Sequence, residues 1–525
     1  MKLRHLLFGV LAGVAFVACT NDNEPAGVTP VNGAEEVAAN KSFMKINFVM
    51  PGGADTRAGE TFEVGTDAEN QVDKGVLFFF DGNTQVADPF ELGAEGSAAL
   101  EGTTLNWTDQ TGNIVEKSSI IIVLSNPLKD PKSVVAVLNA NLADLGLSKS
   151  STLEEIKAKT DNYAAASKIG AGKFVMSSSA YNEAVGKIAA EVKEVYKTVE
   201  AAKASPSVVI PVERVVAKVT VDASKAKMNM ANAETGKESN TVTINGKEVE
   251  ITADVKGWWL DNAPSRSLLL KDITGMAAAD NDKANMRSYW AKPNTGTLQH
   301  GAWANATTAD KYVQENVNAK NPTQVVVGAT LKAGDETLKL VKYLGKLYTE
   351  EGFATEAINV LAHKYYVAKT EGEGETAVTT YTSVGANDIT VSYVDEGDLE
   401  SYQALAKVEK ADADAKFYVK SGNEYVEADA DELAADLKDY VVQRWKDGMT
   451  YYYVAIQHDA DRTGVIRNHV YKLTVKSING LGTPVPFSDT DKIIPEIPDE
   501  KESYISAEID ILAWKVVEQD VDLGK

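Results

Sequence analysis

Short apolar runs with the periodicity of strands recur along this chain, and they restrict it to a mainly β fold. Met44, Ile46, Phe48 and Met50 fall on one side of a period-two pattern, as expected of a strand with one buried face. Residues 75–80 and 119–124 are continuously apolar, which suits strands buried inside a sandwich. Further strand-like runs lie at 208–214, 219–221, 241–251, 324–331, 365–367, 389–393, 450–456 and 470–475. Three stretches break the pattern. Residues 153–163 read as a short helix, with Ser151 or Thr152 as cap ahead of Glu154 and Glu155. Residues 182–203 place Val185, Ile188, Val192, Val195 and Val199 at helical spacing, which predicts a helix packed on the sheet or offered to a partner. Residues 433–440 read as a third, short helix.

Cys19 is the single cysteine in 525 residues. The body therefore has no disulfide, no paired-cysteine metal site and no thiol nucleophile, so its stability must come from burial. Cys19 also closes an export signal. Lys2, Arg4 and His5 precede an apolar run from Leu6 to Val17, and the chain turns polar directly after Cys19. Small residues before a cysteine resemble a bacterial lipobox, in which Cys19 would be the acylated N-terminus. The alternative is an ordinary signal cleaved nearby. Residues 20–42 read as a tether, and no later segment is apolar enough to span a bilayer.

Asp and Glu outnumber Lys and Arg 76 to 53, for a formal charge of -23. That balance argues against nucleic acid as a partner. The five histidines form no metal-binding pair, and no P-loop, dinucleotide fingerprint or serine-hydrolase elbow is present. An enzyme is not expected, nor a cofactor. Asp412, Asp414, Glu427, Asp429, Asp431 and Glu432 lack the spacing of a calcium loop and read as a solvated acidic face. Trp258 and Trp259 suit either a sugar platform or one core and one surface position on a strand; Tyr451, Tyr452 and Tyr453 read the same way.

A boundary is expected near Ala204, Ser205 and Pro206, and a second linker at 484–500, which is acidic and rich in proline. Beyond it, Ile505, Ala507, Ile509 and Ile511 share one face, and Val517, Val521 and Leu523 alternate with Glu518, Asp520 and Asp522. The chain thus carries an amphipathic strand near each end. Each either pairs within its own sandwich or adds to another molecule. Donation from copy to copy would be head-to-tail and would build a filament.

Several ordered motifs sharpen that choice. Arg467-Asn468-His469-Val470-Tyr471-Lys472-Leu473 is followed by Gly480-Leu481-Gly482-Thr483-Pro484 and preceded by Tyr451-Tyr452-Tyr453. Val212-Glu213-Arg214-Val215-Val216-Ala217-Lys218 and the tail from Ala513 and Trp514 to Leu523 add to these. In these segments the chain resembles the shaft subunits of the type V fimbriae of Bacteroidia, in the branch of the minor-fimbrium major subunit. The resemblance is looser around 140–205 and 370–445.

The resemblance implies two β-sandwich domains, transthyretin-like and of Greek-key type, with short helical insertions and a C-terminal donor-strand extension. It divides the chain into a lipoprotein signal peptide (1–19), a propeptide with the leader strand (20–57), an N-terminal sandwich (58–206), a C-terminal sandwich (207–484) and a linker with donor strands (485–525). It implies a shaft subunit exported as an outer-membrane lipoprotein, acylated on Cys19 and cut by an Arg-specific protease between Arg57 and Ala58. Loss of the leader strand, with Met44, Ile46, Phe48 and Met50, would open a groove. A neighbour's tail, with Ile505, Ile509, Ile511, Trp514, Val517, Val521 and Leu523, would fill it. Its partners would be other copies of itself, fimbrial anchor and tip subunits, and the protease. Taken alone, Arg57 reads as a loop arginine. Two other readings remain at this stage: a surface lipoprotein that binds glycans through exposed tryptophans, and a tip or accessory subunit, which in this family lacks the donor strand.

Overall fold

The computed structural model describes residues 42–51, 65–92, 109–111, 114–170, 174–180, 187–224, 227–228, 240–276, 289, 296–306, 308–395, 399–459, 461–486, 504–512 and 518–520. The first body is built on β1 (Ser42–Pro51), β2 (Gly75–Asp81), β3 (Ile114–Leu124), β4 (Ser133–Leu138), β5 (Met176–Ser178) and β6 (Val208–Arg214). They form one sheet in the order β2, β4, β5, β6, β1, β3, with short strands at both edges. The sheet folds over a common core, because Met44, Ile46, Phe48, Ile120 and Ile122 meet Leu77, Phe79, Val134 and Ala136 there. β2 is buried on both faces. Leu77 and Phe79 enter that core, while Val76, Phe78 and Phe80 enter a second cluster with Ile156, Tyr163 and Phe174, which accounts for its unbroken apolar run.

Five short helices decorate the described part of this body, at Leu142–Leu145, at Ala166–Ile169 and at α1 (Asp67–Asn70), α2 (Leu153–Lys157) and α3 (Val199–Ala204). Thr152 caps α2 and Glu155 completes the capping box, but the helix stops at Lys157, and Thr160–Asp161 is already extended. Over 187–203, the described part of the helix expected at 182–203, no continuous helix forms. Ala190–Glu191 adds as a strand to β4, Val192 N–H donates to Lys132 O at 2.9 Å, and Tyr196 exchanges two backbone hydrogen bonds with Phe43. Among the described residues of this stretch, helical turn is confined to α3. The valines that set the helical spacing are β-branched and favour extended backbone. Ile188 and Val192 are still buried, but from an edge strand and loop.

The second body is a true sandwich of two sheets. β7 (Val216–Asp222), β8 (Thr252–Asp261), β9 (Thr308–Gln314), β10 (Gln324–Ala333), β11 (Leu340–Tyr343), β12 (Lys346–Thr349), β13 (Tyr440–Trp445), β14 (Met449–Ala455), β15 (Val470–Asn479) and β16 (Tyr504–Leu512) complete the main strands. One layer runs β9, β7, β15, β16 and then Glu518–Asp520; the other runs β8, β10, β14 and Thr483–Pro484. Val219, Val221, Tyr471, Leu473 and Val475 of the first pack against Trp258, Val325, Val327, Tyr452 and Val454 of the second. Trp258 and Trp259 are both buried, not one in and one out. Trp258 enters the sandwich core, and Trp259 packs on the opposite face with Trp303 and Tyr451.

β10 and β14 are direct hydrogen-bonded neighbours, yet the chain between them makes a separate module. β11, β12 and β13 pair with Gln403–Lys410 and Ile389–Val394 in one sheet, and Tyr365–Glu371 lies in a second with Val378–Ser383, Phe417–Ser421 and Glu424–Glu427. Helix α4 (Glu350–Ala362), capped by Thr349, supplies Phe353, Ala357 and Leu361 to the two cores of the module. The third expected helix, 433–440, is shifted to α5 (Ala430–Asp436), because Asp429 caps it; Tyr440 opens β13.

Candidate functional site: the leader slot and the tail strand

Strand β1, expected from the sequence as the leader, is an interior strand. It runs antiparallel to β3 over its full length, from Ser42 opposite Leu124 to Pro51 opposite Ile114, with a bulge between Asn47 and Phe48. On its other side it runs parallel to β6, with Ile46 opposite Val208 and Phe48 opposite Ile210. Met44, Ile46 and Phe48 are 0% exposed. Burial of three such side chains contributes on the order of 6 kcal/mol. Phe43 adds a contact with Ile121 and Ala202, and Lys197 Nζ donates to Ser42 Oγ at 3.1 Å. Taking β1 away would leave two unpaired strand edges, β3 and β6, facing across an apolar trough. That is the geometry an added strand requires.

The tail strand β16 lies on its own chain. It runs antiparallel along β15, with Ile511 opposite Tyr471, Ile509 opposite Leu473, Ala507 opposite Val475 and Ile505 opposite Ile478. Those four partners are core residues of the second sandwich. The stripe seen in the sequence is thus in register with the apolar side of β15. Glu518–Asp520 pairs back on β16 as the outermost strand.

The motifs that carried the family resemblance join the two bodies. β6 belongs to the first sheet and β7 to the second, and Arg214 stands at the crossing. It is buried; its N–H groups donate to Asn468 Oδ1 (3.1 Å), to Glu69 O (2.9 Å) and to Asn70 Oδ1. Asn468 holds φ at +57°, which asparagine tolerates better than most residues. Arg467 is equally buried, donating to Glu315 Oε2 at 2.9 Å and to the carbonyls of Leu268 and Leu269. His458 Nδ1 meets the Tyr471 hydroxyl at 2.9 Å. In the Gly-Leu-Gly turn, Gly482 sits at φ +69°, and a Cβ there would stand 2.2 Å from Thr450 Oγ1.

Glu69 links α1 to this junction. It is 2% exposed, lies 3.1 Å from Lys218 Nζ and accepts from Tyr312 OH at 2.6 Å. Burial pushes its carboxyl up, but the hydrogen bonds from Tyr312 and the Thr66 N–H and the charge of Lys218 outweigh this and hold it below the usual range. Burial pulls the Arg214 guanidinium down to about 10 against the opposing pull of Glu69.

The structure therefore brings Met44, Ile46 and Phe48 together in one core and places Ile505, Ile509 and Ile511 on a strand of the other body. Cys19, Arg57, Ala58, Trp514, Val517, Val521 and Leu523 lie outside the described residues, as does the side chain of Met50. Sequence reasoning missed Glu69, Tyr312 and Lys218 as a cluster. Thr66-Asp67-Ala68-Glu69 is a capping-box signal, but nothing local reveals its partners Lys218 and Tyr312, far along the chain. Among the described residues, no group of three or more His, Cys, Asp or Glu is placed to hold a metal.

Residues 443–520 match the family of the major fimbrial subunit protein type IV, fimbrillin, C-terminal. That window runs from β13 through β14, β15 and β16. No curated protein matches the chain in sequence. Among solved structures, it is similar to a candidate cell adhesion protein of Parabacteroides distasonis (10% identity, 90% of this chain and 96% of that chain, TM-score 0.41). It is also similar to another from Bacteroides eggerthii (11%, 92% and 96%, 0.36). A third is the tip fimbrial protein Mfa3 of Porphyromonas gingivalis with C-terminal truncation (11%, 89% and 99%, 0.30). TM-scores of that size carry no argument on function. The family match supports a fimbrial subunit, a structural protein of the cell surface that assembles with other fimbrial subunits.

Proposed function

We propose that this chain is the shaft subunit of a surface fimbria, polymerised by strand exchange after proteolysis. The observation that carries the reading is β1. A strand this buried, at the very start of the body, joins the rest of the protein only through the segment 52–64, and Arg57 falls inside that segment. One cut there makes β1 a separate peptide held by non-covalent contacts alone. Its loss exposes β3 and β6, and the alternating tail of another copy supplies a strand of matching chemistry. The same tail is paired on β15, with Glu518–Asp520 on its outer side, so the exchange trades pairing within one chain for insertion between two strands of another copy.

In this reading Cys19 carries the lipid that holds the precursor at the outer membrane until the cut, and the mature shaft supports adhesion. Anchor and tip subunits cap the two ends of the fibre. A tip or accessory role differs in one respect: such a subunit accepts a tail and donates none. The glycan-binding reading loses its best residues, since Trp258 and Trp259 are buried.

The test is to treat soluble protein beginning at Thr20 with an Arg-specific protease and run it unheated on a denaturing gel. A ladder of multimers with a new N-terminus at Ala58 is expected. Clean cutting that yields only monomer, in the presence of an excess of already processed subunits, would overturn the shaft role.

A further inference from the structure

The inserted module carries a largely apolar cavity of about 220 Å³ beside the turn between β11 and β12. Its floor is aromatic: Tyr343, Tyr348 and Tyr440 stand edge-on to Phe353 or to one another, with ring centroids 5.3–5.9 Å apart. Its rim is unusual. Two of its lining residues, Leu344 and Val360, are 83% and 59% exposed. Leu344 also holds φ at +48° in the two-residue turn between β11 and β12. A turn of that kind favours asparagine, and a leucine there costs on the order of 1 kcal/mol. A strained, solvent-facing leucine at the mouth of an aromatic pocket marks a docking position. Lys346 and Glu356 line the pocket, and Lys438 Nζ lies 5.4 Å from the Tyr440 ring centre.

The chain itself offers a segment of matching chemistry. Residues 493–500 read Ile-Ile-Pro-Glu-Ile-Pro-Asp-Glu. Ile494 and Ile497, and likewise Pro495 and Pro498, are three apart, the repeat that puts both members on one edge of a polyproline II helix. Aromatic grooves recognise such ridges, and Lys346 and Lys438 suit the acidic residues Glu496, Asp499 and Glu500, set against the one carboxylate of Glu356. The flanking chain fits as well. Before the segment, Val485 O accepts from Lys446 N–H at 2.9 Å. After it, Tyr504 pairs with Asn479, close to Leu481, whose carbonyl accepts from Trp445 Nε1. Both ends of 487–503 are thus fixed at the root of the module, beside Trp445 and Lys446. Tyr440 begins the same strand that Trp445 ends, ~17 Å away along β13. Half of the segment, extended, reaches ~26 Å.

We propose that the aromatic pocket of the inserted module is a peptide-docking site whose occupant is the Pro-rich segment 493–498 of the same chain. Docking there shortens the tether to β16 and holds the tail on its own β15. The proposal stands whether or not the chain polymerises, because it concerns the segment before any exchange.

The test follows cutting by a Glu-specific protease at Glu496 in the full soluble chain. Docking predicts that Leu344→Asp, a change at an exposed site where aspartate accepts the backbone, speeds that cut about tenfold, as does Pro495→Ser with Pro498→Ser, equivalent to ~1.4 kcal/mol of docking. A chain with 487–503 replaced by Gly and Ser of equal length should bind a synthetic peptide of residues 490–501, with a change in tyrosine fluorescence that Leu344→Asp abolishes. Cutting at Glu496 at the same rate in all chains, together with no peptide binding, would overturn the proposal. Protection that vanishes on dilution would overturn it too, since the occupant would then come from another molecule.

Discussion

Phe48→Ala tests how the leader strand is held. Phe48 is fully buried, on the strand between Lys117 of β3 and Ile210 of β6, in a core shared with Leu77, Ile122, Leu138 and Val212. Replacing a buried phenylalanine by alanine costs ~3–5 kcal/mol, from lost transfer energy and from the cavity left behind. In the uncut chain that cost appears as lower global stability, because β1 is tethered. After a cut at Arg57 the same cost falls on the affinity of a free peptide for its slot, and ~3–5 kcal/mol corresponds to roughly 10²–10⁴-fold faster release if the loss is expressed in the off-rate. The assay is to cut the soluble chain, then follow separation of the fragment 20–57 from the body by size-exclusion chromatography with mass spectrometry. Lys45→Ala, a half-exposed position on the same strand, serves as the control and should change release less than about threefold. If Phe48→Ala lowers the melting temperature but leaves release unchanged, the leader is not retained by its core contacts, and the account of the slot fails.

Other substitutions probe the junction and the module. Glu69→Gln should cost ~1–3 kcal/mol, since it removes the buried carboxylate facing Lys218 and Arg214 while Lys218 keeps Asp310 at 3.0 Å; urea denaturation reads this out. The folded carboxyl of Glu69 lies below its usual value of 4.5. It therefore contributes stability above that pH and loses it as pH falls through the folded value, so Glu69→Gln should flatten the acid limb of a stability-against-pH curve. Gly482→Ala puts a Cβ against Thr450 and the Tyr451 carbonyl at positive φ, and should destabilise the second sandwich by several degrees or prevent soluble expression, while Gly334→Ala, whose Cβ meets nothing, should cost only ~1 kcal/mol. Replacing 342–443 with a short turn, keeping Leu340 and Trp445, should leave the β10–β14 pairing and the sandwich core folded by circular dichroism and thermal melting, because the module has its own cores.

Much of this fold was legible because its strands are either strictly alternating or apolar on both faces. The leader pattern at Met44, Ile46 and Phe48 and the run 208–214 correspond closely to β1 and β6. The stretch 182–203 misled for a physical reason: spacing of three and four is also what an irregular edge segment shows when it dips into a core at Ile188 and Val192. α4 was overlooked although Thr349 ahead of Glu350 and Glu351, then Phe353, Ala357 and Leu361, is a capped amphipathic pattern. That the chain leaves a sandwich at Leu340 and returns at Trp445 cannot be read locally, since only the pairing of β10 with β14 reveals an insertion. The buried pair Arg467–Glu315 and the Glu69 cluster share that limit, because their partners are far apart in sequence.

The central claim is that a tail from one molecule enters the slot vacated in another. With Cys19 outside the soluble chain, no native cysteine remains, so two single-cysteine proteins with different tags can be mixed: Val209→Cys on β6, where Val209 is 49% exposed beside the leader, and Asp510→Cys on the tail strand. A short bismaleimide crosslinker is added before and after cutting at Arg57. The account predicts crosslinks between the two tagged proteins only after the cut, and their loss when Ile509→Asp is placed in the tail. Crosslinks of equal yield before the cut, or none after it, would contradict it.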